Sequence, residues 1–245
     1  MKRTATILNA WLLHTRPFRD SSLLLDFLTL EQGRVSAIAR GARSTRSKKR
    51  FALQSFVPLQ IVLSGKGELQ TLAGSEPAAP GLWLQGERLF AGMYLNELLV
   101  KLLPQHEAEP ALFRVYADTL AALAGGNADL EPQLRMFELR LLESLGYGIA
   151  LDVDAESGEA IEAQGWYHLE IDRGFVKRIG EKAPAGDEII RLFPGHELLR
   201  IESGDFAAAS TRQYAKRMLR QVLQSHLGGK TIASRTFFQN RLPEG

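Results

Sequence analysis

Ten consecutive residues, Gly41-Ala42-Arg43-Ser44-Thr45-Arg46-Ser47-Lys48-Lys49-Arg50, hold five cations, small hydroxyl side chains between them and no acid. Arg34 and Arg40 come just before. Guanidinium and ammonium groups neutralise phosphates and release counterions, while hydroxyls and loop amides donate hydrogen bonds, so this composition suits a polyanion backbone. Trp11, Phe18 and Phe51 could stack bases, but Trp11 lies in an alternating segment and is better placed in a core. No other chemistry is spelled out. The chain has no cysteine. His168 and His196 lack metal-ligand spacing and read as ordinary surface or core histidines. Ser64-Gly65-Lys66-Gly67 lacks the spacing of a nucleotide-binding loop and reads as a hairpin turn. The carboxylate pairs Asp152 with Asp154 and Asp187 with Glu188 have no nucleophile or base nearby and read as solvated. The expectation is no catalytic residue, no metal and no cofactor.

The formal net charge is +2, but it divides unevenly: residues 1–80 carry +7, residues 81–205 carry −11 and residues 206–245 carry +6. Two basic ends around an acidic middle point to polyanion binding by the ends. The absence of cysteine fits a reducing cytoplasm. Met1-Lys2-Arg3-Thr4 runs into an alternating segment without a signal-peptide core, and no apolar stretch approaches the roughly 20 residues of a membrane span. A soluble, cytoplasmic protein is expected.

The elements that must position these residues follow from periodicity. Alternation predicts strands over 6–14, 22–30, 35–39, 54–63 and 68–72, with turns at Arg16-Pro17-Phe18-Arg19-Asp20, Glu31-Gln32-Gly33-Arg34 and Gly65-Lys66-Gly67, and a long loop over 41–50. Five short strands in some 75 residues fit a small closed barrel of the oligonucleotide-binding type. After Ala78-Ala79-Pro80-Gly81 the period becomes helical. Helices are predicted from Leu89 to Pro104, from Pro110 to Gly125-Gly126, and from Pro132 to a cap at Gly146. A hairpin is predicted at Trp166–Ile171 turning through Asp172-Arg173-Gly174, then helices at 187–200 and from an Asp205 cap to Leu227. In the last helix Arg212, Lys216, Arg217 and Arg220 oppose the apolar half. The fold class is therefore α+β: a five-stranded barrel domain over 1–80, a helical domain over 81–147 and 179–245, and an irregular β-containing insertion over 148–178.

Four stretches carry a resemblance: Arg34-Val35 through Ala39-Arg40-Gly41-Ala42-Arg43-Ser44, Tyr94-Leu95-Asn96-Glu97-Leu98-Leu99, Phe137-Glu138-Leu139 through Leu145-Gly146-Tyr147-Gly148, and Leu227-Gly228-Gly229-Lys230 through Ser234-Arg235. In this order they resemble the bacterial RecO family of DNA repair and recombination mediators. The resemblance implies an oligonucleotide-binding barrel, a helical middle and, in many members, a four-cysteine zinc module. This chain has no cysteine there, so 148–178 looks like a metal-free remnant. The family's properties would be binding of single- and double-stranded DNA, strand annealing, and action with RecR in loading RecA on DNA covered by the single-strand-binding protein SSB, without catalysis and at the nucleoid. Carried over residue by residue, the DNA surface would include Arg34, Arg40, Arg43, Arg46, Lys48, Lys49 and Arg50. The basic C-terminal end adds Arg217, Arg220, Lys230 and Arg235. The acidic SSB tail, with its apolar terminus and free carboxylate, needs a greasy pocket with a cation at the rim. Arg135 beside Leu134 and Phe137 is the first candidate and Arg140 the second; pairing of Arg135 with Glu131 or Glu138 on a solvated helix face is the alternative. A different class of function, a helical interaction scaffold with RNA- or ribosome-binding basic ends, is compatible with the same charges.

Overall fold

The computed structural model describes residues 6–43, 53–65, 67, 69–126, 129–179, 186–234 and 236. Two compact units divide the chain, Met1–Leu130 with Thr231–Gly245, and Glu131–Lys230.

The first unit is built on five strands, β1 (Ile7–Phe18), β2 (Ser22–Thr29), β3 (Gly33–Ala39), β4 (Pro58–Ser64) and β5 (Leu69–Pro77). They close in the order β1-β2-β3-β5-β4, with β3 and β5 parallel and all other pairs antiparallel. This is the five-stranded barrel of the oligonucleotide-binding type. Leu8, Ala10, Leu12, Leu25, Phe27, Val35, Ala37, Leu59, Ile61 and Leu72 alternate inward to fill it. Several boundaries differ from expectation: β4 starts only at Pro58, not at Gln54, and β3 already at Gly33. Strand β1 runs through Arg16 and Pro17 to Phe18, so only Arg19 to Ser21 make the turn, and β5 continues past Leu72 to Pro77. Both extra lengths find ladder partners, which local turn propensity cannot anticipate.

Helices α1 (Gly86–Leu102) and α2 (Pro110–Gly125) belong to the same unit. Strand β1 carries a bulge between Leu12 and His14. The Leu13 carbonyl accepts the Asn96 side-chain amide of α1 at 3.0 Å, and the Tyr116 hydroxyl of α2 donates to the same asparagine. Burial pushes the Tyr116 hydroxyl pKa up. Trp11 meets Tyr116 edge to face at 5.8 Å, as core rather than as a stacking surface. The segment between the helices docks by polar contacts: the Arg34 Nε donates to the Leu103 carbonyl at 2.8 Å and His106 N donates to the Arg34 carbonyl. Gly33 stands at φ +65° where a Cβ would fall 1.7 Å from the Glu107 carbonyl oxygen, so no other residue fits.

Residues 231–234 return to this unit through one carboxylate. Glu97 of α1 accepts from Ala233 N and Ser234 N at 2.8 Å each and from Ser234 Oγ at 2.6 Å, while Lys101 bonds both Glu97 and the Thr231 carbonyl. Two of the stretches that carry the family resemblance thus meet here.

The second unit contains α3 (Leu130–Ser144, counted from Glu131), the hairpin β6 (Trp166–Glu170) and β7 (Gly174–Lys177), then α4 (Asp187–Arg191), β8 (Phe193–Pro194), α5 (Gly195–Glu202) and α6 (Ala209–His226). Gly146 at φ +78° ends α3 as expected, with Tyr147 N bonding the Leu142 carbonyl and Gly146 N that of Glu143. The expected helix over 187–200 is broken: Phe193 and Pro194 leave it to pair with β6, and Pro194, which cannot donate within a helix, precedes the first turn of α5. Asp205 does not cap α6. Its carboxylate accepts from Ala207 N in a local turn, and Ala208 stands at the cap.

Asp154 corrects a further expectation, since it is buried rather than solvated. One oxygen accepts from Glu156 N at 2.8 Å and Ser157 N at 3.0 Å, the other from Lys177 N of β7 at 2.9 Å. Burial works to raise its pKa, but the backbone donors of Ser157, Glu156 and Lys177 outweigh it, so the carboxyl lies below its ordinary value. One carboxylate therefore joins the 154–157 turn to the hairpin, as a polar cross-link in a cysteine-free segment.

Burial raises the Glu97 pKa, yet its bonds to Lys101, Ser234 and Ala233 prevail and hold it at about 2 against an ordinary 4.5. A depressed carboxylate stabilises fully above its unfolded pKa and loses that contribution as pH falls through the folded one. Amide hydrogen exchange at Ala233 and Ser234 should therefore accelerate as pH is lowered from 4.5 toward 2, after correction for intrinsic rates. Glu97→Gln should show fast exchange already at pH 7; protection that persists in that variant contradicts the anchoring role.

Candidate nucleic-acid interface

At one end of the barrel the β1–β2 turn and the start of the long β3–β4 connection are tied together. Arg43 N donates to the Ser21 carbonyl at 2.9 Å, and the Arg43 guanidinium donates to the Arg19 carbonyl at 3.2 Å. Arg19 occupies the left-handed region at φ 51°, and its guanidinium carbon lies 5.3 Å from the ring centre of half-buried Phe18. Arg40 is exposed just beyond β3, and Arg16 is exposed on β1 opposite Leu24, whose other neighbour is Ile38. Four guanidinium groups and one aromatic edge therefore share this end, with Asp20 as the acid of the turn. Arg46, Lys48, Lys49 and Arg50 lie outside the described residues.

Such a surface can neutralise phosphates and offer a ring to a base. Reading by sequence missed Arg16 and Arg19 because the stretch Arg16-Pro17-Phe18-Arg19-Asp20 was spent on a turn. Its alternation of cations with an aromatic was the available signal.

Arg34 has a different setting from Arg40 and Arg43. Its side chain is mostly buried on the outer face of β3, held by the Leu103 carbonyl and 3.7 Å from Asp26. Burial lowers its pKa, with Asp26 opposing.

In the second unit Arg220 and Lys230 are exposed. Arg217 is half-buried: its guanidinium donates to the Ile190 and Leu192 carbonyls and lies 4.1 Å from the Phe193 ring centre and 4.9 Å from that of Tyr214. Burial lowers its pKa, with Tyr214 opposing. Lys216 pairs with Glu131 at 3.2 Å, and Arg212 donates to the Phe206 and Ala207 carbonyls. Arg235 lies outside the described residues.

Of the two cations considered for an acidic tail, Arg135 is buried and pairs at 2.7 Å with a fully buried Glu138. Arg140 is exposed, paired with Glu143 at 2.7 Å, and borders a groove walled by Met136, Leu139, Ile149 and Ile201. Glu143, Asp152 and Glu202 also line that groove. Among the described residues no group of three or more His, Cys, Asp or Glu is arranged to hold a metal, and no helix is long and apolar enough to cross a membrane.

A closed barrel of this topology with a basic end, followed by helices, defines a protein of the oligonucleotide-binding barrel class. Sequence comparison narrows the class. The recombination protein O N-terminal model matches residues 1–80 and its C-terminal counterpart residues 84–236. The chain is 46% identical over 232 residues to the DNA repair protein RecO of Methylococcus capsulatus, covering 95% of this chain and 92% of that one. It is 46% identical over 231 residues to the DNA repair protein RecO of Stutzerimonas stutzeri, covering 94% and 92%, and 44% identical over 231 residues to that of Pseudomonas aeruginosa PAO1, covering 94% of each. The chain belongs to the RecO family of DNA repair proteins.

Arg217 and Arg220 should separate sharply in a stability measurement. Charge-assisted bonds contribute about 1.5–3 kcal/mol each, so Arg217→Gln should lower urea stability by about 2–4 kcal/mol. Arg220→Gln should change it by less than about 0.5 kcal/mol. Equal small effects would show that the Arg217 contacts contribute little.

Proposed function

We propose that the chain is a non-catalytic recombination mediator that binds single- and double-stranded DNA, anneals complementary strands and, with RecR, helps to load RecA on DNA covered by SSB. Its place of action is the cytoplasm, at the nucleoid. The observation that carries the reading is the convergence of Arg16, Arg19, Arg40 and Arg43 at one end of an oligonucleotide-binding-type barrel in a chain of the RecO family. Arg46, Lys48, Lys49 and Arg50 extend that surface by composition, and Arg220, Lys230 and Arg235 of the basic C-terminal end are separate DNA-binding candidates. Arg34 serves the barrel surface chiefly through the structure that it holds, and Arg217 holds structure within the second unit.

Phosphate contacts make binding insensitive to sequence and steeply dependent on salt, with a slope of about −0.9 per phosphate neutralised on duplex. Replacing Arg16, Arg19, Arg40 and Arg43 together by Ala should flatten the duplex slope by about 3.6 and abolish annealing of SSB-coated complementary oligonucleotides. An intact chain whose affinity is flat between 50 and 200 mM salt, or which anneals nothing, overturns the reading. Preference for RNA over DNA in the same titration favours the scaffold alternative.

For the SSB tail, Arg140 at the groove beside Met136, Leu139, Ile149 and Ile201 is the better cation, because Arg135 is already enclosed with Glu138. Glu143 competes for that guanidinium. Arg140→Glu should weaken binding of a tail peptide more than about tenfold, and Glu143→Gln should tighten it by freeing Arg140 and removing a like charge. Unchanged affinity in both variants removes the groove from consideration.

A further inference from the structure

Trp83 is 78% exposed, in contrast to Trp11 at 6%. Its exposure follows from how the linker after β5 is held. Ala78 N donates to the Pro58 carbonyl and Leu82 N to the Phe56 carbonyl, each at 2.8 Å. Leu84 is buried and shares a seat on α1 with Phe56: a Cβ on Gly92 would lie 2.7 Å from Leu84 and 2.8 Å from the Phe56 ring. The extended segment thus buries Leu84 and half-buries Leu82, leaving the residue between them to solvent.

Two features select the kind of molecule that would cover this ring. Protein hot spots sit among apolar contacts that exclude water. Trp83 instead has exposed Gly81, Gln85, Gly86 and Glu87 as its chain neighbours beyond the two leucines. An indole face in a polar setting suits a base, whose π-face stacks without needing a dry ring around it. The second feature is position: Trp83 follows β5 in the same unit whose barrel carries the exposed Arg16, Arg19, Arg40 and Arg43.

We propose that Trp83 is a stacking platform for an unpaired base, so that the barrel unit takes single-stranded nucleic acid in preference to duplex. The inference rests on the DNA-binding reading and adds to it the strand state of the preferred ligand. A paired base inside a duplex has both faces covered by its neighbours and cannot use the platform without being unstacked.

The test titrates the full chain with a fluorescein-labelled oligothymidylate and with a duplex of equal length, while following intrinsic tryptophan fluorescence. Single strand should quench the Trp83 emission. Trp83→Ala should abolish that quenching and weaken single-strand binding by between about five- and a hundred-fold, the range found for stacked bases, with less than about twofold change on duplex. Trp83→Phe should recover most of the binding, and neither variant should shift the thermal midpoint. Equal losses on both ligands, no loss on either, or no quenching overturns the stacking role while leaving DNA binding by the barrel in place. So does loss of self-association in Trp83→Ala with unchanged single-strand affinity, which makes the ring a contact between copies. An intact chain that binds neither ligand overturns the DNA-binding reading itself, and the inference with it.

Discussion

Residues 10–13 of β1 and 24–29 of β2 are buried on both faces of the barrel wall, and the first unit depends on that constraint. Leu8, Ala10, Leu12, Leu25 and Phe27 fill the barrel, while Trp11, Leu13, Leu24 and Leu28, pointing the other way, are buried as well. A barrel wall that is apolar outside cannot face water, so α1 and α2 are part of its fold rather than an addition to it. Asn96 makes the arrangement specific. The bulge at Leu13 takes its carbonyl out of the β1–β2 ladder, and a buried carbonyl without a partner costs about 1–3 kcal/mol; the asparagine amide supplies the donor, and Tyr116 satisfies the asparagine. The outer face of β3 is closed in the same way, by polar groups: Arg34, and Ser36 hydrogen-bonded to both Asp26 and Gln105. With these faces committed, the end that bears Arg16, Arg19, Arg40 and Arg43 stays open to a ligand.

The acidic middle of the sequence takes on a physical meaning at the level of single residues. Within it Glu138, Asp154 and Glu197 are buried and Glu97 is largely enclosed, and Asp26, in the N-terminal stretch, is buried as well. Each accepts from defined donors or pairs with a cation: Ser36 on Asp26, Arg135 with Glu138, backbone amides on Asp154, Thr211 on Glu197, the returning segment on Glu97. Carboxylates with two oxygens and several lone pairs can join segments distant in sequence, and here they do so where neither disulfide nor thiolate metal site is available. Part of the negative charge is thereby withdrawn from the surface, while many of the cations near the ends remain on it.

Much of the architecture was legible because it rests on local periodicity. Alternating apolar residues marked all five barrel strands and the β6–β7 hairpin, and Gly146 marked the end of α3 through a backbone conformation that disfavours side chains. What escaped depended on partners far along the chain. Residues 187–200 carry apolar spacing compatible with a helix, and only the pairing of Phe193 and Pro194 with β6 reveals the break. Asp154 sits in a polar stretch, and its burial is set by Lys177 N, 23 residues away. Arg217 lies on the nominally polar side of α6 but reaches carbonyls 25 and 27 residues earlier. Arg16 and Arg19 went unnoticed because Pro17 reads as a turn former, whereas the ladder to β2 carries β1 straight through it.

The exposed cations are fixed to different degrees, and this bears on what they can recognise. Arg43 is held at both its amide and its guanidinium, and Arg19 is set by a left-handed backbone beside Phe18. Arg16 projects from a paired strand. Fixed guanidinium groups lose little freedom when they meet a phosphate, so they raise affinity without needing a matched base. Phosphates are identical along any strand, and a ring presented beside them stacks on every base. A surface of this composition is suited to a nucleic-acid strand of any sequence. The same tolerance makes affinity a matter of counterion release rather than of complementarity, so a strand held by such a surface is released by salt, by competing polyanions or by pairing with its complement.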